Sequence, residues 1–294
     1  MIIKERDSKQ RDIKELISLL KLDISPKQRF LIEREIRFIK AGERGENDAA
    51  YFINFYFGES KNWAVIHDLR IEFNNYVAQI DHLLINRFLD FYVLESKNFF
   101  YPIKITTEGE FLIWHRKRGE YYSIESPIEQ NERHIFLLDK VLKKLDILPK
   151  RFGLPLKPRF KSYILLSPKS KIIRPPRKSL DTSMVIKADM LKREIDKYTD
   201  QMSNFSIISS LSKLISSDTL KEVAEKISKL HRPKITDYKK KFGISKEQIR
   251  QKTNKRYLCS RCGSEVSLKV ANYCLQHKGR FKGKIFCFKC QKMV

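Results

Sequence analysis

The sequence predicts an α/β protein: a central mixed sheet flanked by helices, followed by a mainly helical basic region and a small cysteine-bearing module. Three observations support this class. The first half passes from helical to strand-like periodicity and back again. The excess positive charge is confined to the second half. All five cysteines fall between Cys259 and Cys290.

The N-terminal elements are predicted to be helical. Residues 8–44 have apolar side chains at helical spacing, and Ser25-Pro26 divides them into two helices. Gly42 and Gly45 are expected to interrupt the second helix, after which a further helical stretch ends at Gly58.

The pattern then becomes that of strands and returns to helix. Runs rich in Val, Ile, Phe and Tyr, separated by turn residues, predict neighbouring antiparallel strands and a few shorter ones. The predicted strands are 63–73, 76–86, 88–97, 103–106, 111–115 and 162–166. An amphipathic helix follows Ser126-Pro127 and runs to Lys144. The region 168–178 reads as a loop or linker, and polar helices are predicted at 188–200, 205–216 and 218–230.

These patterns suggest five segments along the chain. They are an N-terminal helical segment (1–37), the α/β core (38–166), a basic Pro-containing linker (167–184), a basic helical region (185–256) and the cysteine module (257–294).

Charge differs sharply between the two halves. Residues 1–150 carry 25 Lys+Arg against 24 Asp+Glu, whereas residues 151–294 carry 35 against 11. A basic half joined to a balanced half indicates a polyanion-binding region attached to a domain with another task. A lysine-rich surface that only aids solubility is the alternative.

Neither a membrane span nor a secretory leader is apparent. No run approaches the ~18 consecutive apolar residues of a membrane helix, and the N-terminus is charged where a signal peptide would be apolar. Clustered cysteines are typical of metal sites rather than of disulfide scaffolds. We therefore expect a cytoplasmic protein without a membrane partner.

Two carboxylates and an amine are predicted to meet at the sheet. Asp81 lies inside an apolar strand, and Glu95 and Lys97 end the next one, where alternation places both on one face. Carboxylates hold Mg²⁺ or Mn²⁺, the ion activates water, and a lysine offsets developing charge, as phosphodiester hydrolysis requires. The alternative is a pair of exposed strand-end charges, with Asp81 in a salt bridge. His82 should face the opposite side and is interpreted as structural.

Four motifs in this order resemble the nuclease-related domain (NERD) family, a branch of the PD-(D/E)XK, restriction-endonuclease-like superfamily, over about residues 38–150. They are Gly42-Glu43-Arg44-Gly45-Glu46, Gln79-Ile80-Asp81-His82-Leu83-Leu84-Ile85, Glu95-Ser96-Lys97-Asn98, and Ser126-Pro127 with Gln130-Asn131.

The resemblance implies a restriction-endonuclease-like core and a metal-dependent nuclease that acts on DNA rather than RNA. It implies that Glu46 is the acid of the first core helix and that Asp81 and Glu95 are the metal ligands. Lys97 becomes the catalytic lysine and Gln130 the polar residue of the following helix. Ile80 stands where the superfamily has proline. A catalytically inactive module that binds nucleic acid or recruits a partner is the alternative.

The C-terminal cysteines form two Cys-x₂-Cys knuckles, Cys259/Cys262 and Cys287/Cys290. Four thiolates at this spacing predict one tetrahedral Zn²⁺ ion, and the segment resembles zinc ribbons that accompany some NERD domains. Cys274 and His277 are possible substitute ligands, with Cys274 ranked as a buried thiol. Interleaved basic and aromatic residues suit phosphate binding and base stacking, although the aromatics could instead form the core.

The connector before this module has two interpretations. Residues 238–250 fit either a helix-turn-helix corner or a helical hairpin in a linker, with a capping box formed by Ser245 and Gln248. Either way, residues 232–256 add positive charge beside the cysteine module.

Overall fold

The computed structural model describes residues 1–99, 101–116, 118–201, 212–249 and 257–294. The chain divides into two compact units. Unit 1 contains Met1–Arg11 and Ile36–Ile235, and unit 2 contains Asp12–Glu35 and Thr236–Val294. Unit 2 therefore joins residues near the start of the chain to its C-terminal part, a grouping that composition along the sequence does not reveal.

A six-stranded mixed sheet forms the centre of unit 1. In spatial order the strands are β1 (Ile2–Lys4), β2 (Trp63–Phe73), β3 (Tyr76–Asn86), β4 (Asp90–Lys97), β10 (Arg159–Leu166) and β12 (Val185–Lys187). Strand β3 is antiparallel to both of its neighbours, β2 and β4. Strand β1 is parallel to β2, and β10 is parallel to both β4 and β12. The mixed α/β architecture predicted from the sequence is confirmed.

A smaller sheet lies in the same unit. Its strands, in spatial order, are β11 (Ile172–Ile173), β5 (Ile103–Ile105), β6 (Phe111–His115) and β7 (Glu120–Ile124). A short hairpin joins β8 (Lys150–Arg151) to β9 (Leu154–Pro155). The interpretation of 168–178 as loop alone was wrong, because this region contains β11, which pairs with β5.

With three additional short helices in the cysteine module, the helices of the described residues follow the predicted order. They are α1 (Gln10–Leu19), α2 (Pro26–Phe57), α3 (Pro127–Lys144), α4 (Leu191–Asp200, after a 3₁₀ turn at Ala188–Met190), α5 (Ser217–Ser228), α6 (Tyr238–Lys241), α7 (Leu268–Gln276), α8 (Lys278–Phe281) and α9 (Phe288–Gln291). The helix predicted at 205–216 falls mostly on residues outside the described part. Within that part, no helix is both long and apolar enough to cross a membrane.

Strand alternation divides the core of unit 1 into two layers. On one face of the central sheet, Leu83 and Val93 pack with Leu138 of α3 and Val223 of α5. On the other face, apolar side chains of the same strands pack with α2 and α4: Leu84, Tyr92, Ala49, Ile53 and Leu191. Each strand is therefore buried on both sides, as a central strand between helical layers requires.

In unit 2, two helix starts carry the same kind of cap. The Ser25 N–H donates to Gln28 Oε1 at 3.0 Å while the Gln28 N–H donates to Ser25 Oγ at 3.2 Å. Ser245 and Gln248 repeat this reciprocal pair at 2.9 and 3.2 Å, as the sequence predicted. The Gln248 side chain also donates to Gln28 Oε1 at 3.2 Å, which ties the two helix starts together.

Helix α2 corrects one sequence interpretation. Gly42 and Gly45 do not interrupt it, since the helix is continuous from Pro26 to Phe57. A Cβ placed on Gly45 would lie 2.4 Å from Asn98 Cβ, at the end of β4. Gly45 is therefore explained by a close approach of helix to strand, which offsets the cost of about 1 kcal/mol that glycine brings to a helix interior.

This close approach predicts opposite effects for two neighbouring glycines. Gly45→Ala forces Asn98 away and should lower the free energy of unfolding by about 1–3 kcal/mol. Gly42→Ala is the matched control, because its added Cβ meets only the flexible Glu46 Oε1, at 3.9 Å. It should raise stability by about 0.5–1 kcal/mol. Urea denaturation measures both, and equal effects would contradict the close approach.

Candidate active site

The site begins with two neighbouring strands. His82 of β3 pairs with Leu94 of β4, so continuing this antiparallel register by one residue places Asp81 directly opposite Glu95. Asp81 shares its strand face with Leu83, and Glu95 shares its face with Val93, so both point toward the α3 layer. The Ser96 N–H donates to Asp81 Oδ2 at 2.7 Å, which fixes the first carboxyl group against the second strand.

Helix α3 adds a third group to this pair. The Lys97 ammonium donates to Glu95 Oε1 at 2.7 Å and to Gln130 Oε1 at 3.0 Å, and Gln130 Nε2 donates to Glu95 Oε1 at 2.9 Å. The three side chains thus form a closed triangle. Gln130 lies in the first turn of α3, which starts at Pro127 after an N-cap by Ser126, so the cap sets where this amide reaches the strands.

The surroundings of the carboxyl groups oppose their charge. Asp81 is only 8% exposed and Glu95 only 3%. Burial, together with the charges of Glu95 and Glu46, raises the pKa of Asp81 well above its usual range. Burial also raises the pKa of Glu95, although the Lys97 ammonium acts in the opposite direction. Such a perturbed acidic pair is typical of functional sites.

One carboxylate oxygen tests whether a cation fits here. Glu95 Oε2 is buried and has no hydrogen-bond partner in the described part of the chain. Its neighbour His134 Nδ1 lies 3.8 Å away and also lacks a partner there. Burial lowers the pKa of His134 to about 4, so this ring is neutral near pH 7 and does not satisfy the carboxylate by charge. Two hard oxygen donors with one unsatisfied atom suit a divalent cation held by Asp81 and Glu95.

The structure places His134 against Glu95, with its side chain buried. Its spacing from Gln130, four positions along α3, puts both on one helix face and was the signal that could have indicated this.

Glu46 does not join the triangle. Its carboxylate pairs with the guanidinium of Arg6, which also donates to Asn47 and lies 3.9 Å from Asp68. Glu46 is nevertheless close enough for its charge to raise the pKa of both Asp81 and Glu95. Arg6 was not among the predicted site residues, because nothing in the local sequence links residue 6 to residue 46.

A chain of buried polar groups supports the site from the opposite sheet face. His82 Nε2 lies 3.0 Å from Ser96 Oγ, and its Nδ1 lies 2.7 Å from His67 Nδ1. His67 Nε2 in turn contacts Asn54 Oδ1 of α2 at 2.9 Å. Burial lowers the pKa of His67 to about 4 and that of His82 well below its usual value. Ser96 connects the two faces, because its side chain contacts His82 and its N–H binds Asp81.

Residues 41–167 match the family model described as nuclease-related domain. The chain therefore contains a nuclease-related domain. The match overlaps the range expected from the resemblance, about residues 38–150, and extends beyond it to residue 167. It contains the Asp81, Glu95, Lys97 and Gln130 arrangement. Arg6 lies outside the matched residues. Neither the curated proteins nor the solved structures provided a match.

The cysteine cluster lies in unit 2. The four knuckle sulfurs, those of Cys259, Cys262, Cys287 and Cys290, all lie within 4.8 Å of one another. Two sulfurs of a tetrahedral zinc site are separated by ~3.8 Å, since each Zn–S bond is about 2.3 Å, and Cys262 Sγ lies 3.7 Å from Cys287 Sγ. Burial opposes ionisation of Cys259, but backbone N–H groups of the two knuckles outweigh it and lower its pKa to about 6. The donor set therefore fits one zinc ion.

The other candidate ligands lie outside this cluster. Cys274 is fully buried, and its sulfur contacts the backbone of Phe286 at 3.4 Å and the side chain of Gln291 at 3.3 Å. His277 Nδ1 lies 2.8 Å from the Tyr273 carbonyl oxygen. Cys274 is thus a buried thiol, as the sequence ranking expected, and the four knuckle cysteines stay the predicted zinc ligands.

The aromatics of the same module divide into two groups. Phe281 and Phe286 are buried against the cysteines and form its small core. Tyr273 and Phe288 are exposed, Phe288 to 72%. The core interpretation therefore holds for Phe281 and Phe286, whereas Tyr273 and Phe288 lie outside that core.

Zinc content distinguishes the knuckle thiols from the buried one. Purified protein should carry about one zinc per chain, and Cys262→Ser should lose most of it because a hydroxyl does not replace a thiolate ligand. Cys274→Ser should retain the metal. Metal analysis by mass spectrometry measures this, and zinc loss on Cys274→Ser alone would reverse the ligand assignment.

Proposed function

We propose that the protein is a metal-dependent nuclease that hydrolyses phosphodiester bonds, with DNA preferred over RNA. The observation that supports this best is the triangle of Glu95, Lys97 and Gln130 beside the buried Asp81, inside the nuclease-related domain. Packing alone gives no reason to bury two carboxyl groups at the end of an apolar strand, because an unpaired buried charge is costly.

The residues suggest distinct tasks. Asp81 and Glu95 supply oxygen ligands for Mg²⁺ or Mn²⁺. When bound, such an ion polarises the scissile phosphate and lowers the pKa of its water. Lys97 donates to both Glu95 and Gln130, and from this position it can orient the attacking water and offset negative charge on the phosphate. Gln130 holds this lysine in place through its side-chain oxygen, and its side-chain nitrogen donates to Glu95.

The basic half of the chain is proposed to hold the substrate. Nearly all the net charge lies in residues 151–294. In the cysteine module, Lys278, Lys284 and Lys289 are exposed, as is Phe288. Lysines neutralise backbone phosphates, and an exposed ring offers a surface on which a base can stack.

A second candidate function has one observation in its favour. Glu46 is held in an ion pair by Arg6 rather than directed at Asp81. A domain in which the acid of the first core helix is held in an ion pair could bind nucleic acid without cutting it, or could recruit a partner protein. Cleavage assays distinguish this from the nuclease proposal.

Cleavage should depend on divalent metal and on the proposed residues. Plasmid, linear duplex, single-stranded DNA and RNA are incubated with Mg²⁺ and with Mn²⁺, and products are followed on gels. Asp81→Asn and Lys97→Ala should each reduce the rate at least about 100-fold. Asp139→Asn and Lys143→Ala provide matched controls, since this exposed ion pair on α3 is 2.5 Å long and lies on the outer side of the helix.

Two results would contradict these assignments. If wild-type protein leaves every substrate intact with both metals, the second candidate function is favoured. If activity survives Lys97→Ala and Asp81→Asn, the site lies elsewhere in the chain.

The basic module should affect binding more than chemistry. Replacing Lys278, Lys284 and Lys289 together with alanine should raise KM for DNA by about tenfold or more and change kcat little, because phosphate contacts act mainly on association with the substrate. Steady-state kinetics measures both constants. A fall in kcat with constant KM would count against this division of roles.

A further inference from the structure

A groove of about 620 Å³, lined by polar and charged residues together with Phe99, opens in unit 1 where strands β4 and β10 end. Its walls come from α2 (Arg44 and Asn47), from the residue after β4 (Asn98), and from the segment after β10 (Ser167, Lys169 and Ser170). We propose that this groove binds a phosphodiester group of the nucleic acid, next to the phosphodiester group that is cut. This inference rests on the proposed function for the location of the cut.

The strand register places the groove beside the candidate active site. Strands β4 and β10 are parallel, and Leu166 pairs with Lys97. Both strands therefore end at the same edge of the sheet. Asn98 directly follows Lys97, and Ser167 directly follows its pairing partner Leu166, so both lie next to the proposed catalytic lysine. The close approach of Gly45 to Asn98 brings α2 to the same edge. A crevice at the carboxyl ends of neighbouring parallel strands is a common location for ligands.

The chemistry of the groove suits a phosphate. Arg44 and Lys169 are exposed, and neither forms an ion pair with a carboxylate of the described residues. Arginine presents a planar fork that matches phosphate oxygens, and lysine adds a point charge. Ser170 is 5% exposed, and its hydroxyl, which is buried, has no partner among the described residues.

The charge balance favours a diester over other anions. Asp48 also lines the groove and lies 3.5 Å from Ser167 Oγ, so two cations face one carboxylate. The resulting local charge of about +1 complements the single charge of a phosphodiester. A terminal phosphate carries about −1.5 to −2 near pH 7 and would be opposed by Asp48.

DNA binding tests the groove without requiring cleavage. The double variant Arg44→Ala/Lys169→Ala is compared with wild type by fluorescence anisotropy on a labelled DNA duplex with hydroxyl ends. Zinc-containing full-length protein is used, without added Mg²⁺ or Mn²⁺, over a series of NaCl concentrations. The plot of log Kd against log [NaCl] should lose about 0.9 in slope, since the groove holds one phosphate and each duplex phosphate contact contributes about 0.9. Kd at 100 mM NaCl should rise at least about tenfold.

The matched control removes two cations at the other end of the sheet. Lys61 and Lys157 are both exposed. They precede β2 and β10, whose first residues pair with Asn86, the last residue of β3, and with Asp90, the end of β4 farthest from Lys97. Lys61→Ala/Lys157→Ala removes the same charge but should change the slope by less than half as much. Thermal unfolding of all three proteins verifies that the variants fold.

Each outcome decides one question. Equal slopes for the groove variant and the control variant would overturn the groove proposal, whether or not the protein cuts. A selective loss of slope with wild-type protein that cuts nothing would support the groove and contradict the nuclease. Repetition with a 5′-phosphorylated single-stranded oligonucleotide provides a further arm. If the groove variant loses affinity only for the phosphorylated end, the groove binds a terminal phosphate and the diester assignment is wrong.

Discussion

The structure of unit 1 depends on how it keeps two carboxyl groups buried at the end of an apolar strand pair. Removing a charged carboxylate from water costs several kcal/mol unless partners replace the lost hydration. Asp81 receives the Ser96 N–H, and one oxygen of Glu95 receives both Lys97 and Gln130. The other oxygen of Glu95 has no such partner in the described residues. The protein scaffold alone therefore compensates this burial only in part, which is the condition under which a cation adds most.

Strand alternation explains how so many polar groups fit into a core. The acids and the lysine occupy one face of β3 and β4, where α3 supplies Gln130. The two histidines occupy the opposite face, where they contact each other at 2.7 Å under the α2 layer. Neither set interrupts the apolar packing of the other face. On each face, a leucine or valine lies two positions along the strand from each acid or histidine. Ser96 is the point at which the two sets meet.

The sequence anticipated the parts of this arrangement that follow from local periodicity. Asp81, Glu95 and Lys97 could be placed together because the pleat and a short turn determine their faces, whereas Gln130 was accessible only through the family resemblance. The long strands were visible because both of their faces are apolar. Strands of two or three residues, such as β11, have too few side chains to form a pattern. Gly45 was interpreted as a break because its reason lies 53 positions away, at Asn98.

Glu46 shows why a family motif does not by itself define a site. Its carboxylate lies within the residues that match the nuclease-related domain, but its ion-pair partner, Arg6, lies outside them. Arg6 is in turn positioned by the short parallel strand at the N-terminus and by Asp68, whose carboxylate accepts the N–H of Asp7 at 2.8 Å. Asp68 has a φ of 49° and lies between His67 and Leu69, where the pairing of β2 with β3 skips one residue on each strand without a change of register. A left-handed backbone conformation at a non-glycine residue has a conformational cost, and such residues cluster at functional sites. Glu46, whose charge raises the pKa of Asp81 and of Glu95, is thus held in an ion pair by a residue outside the matched domain.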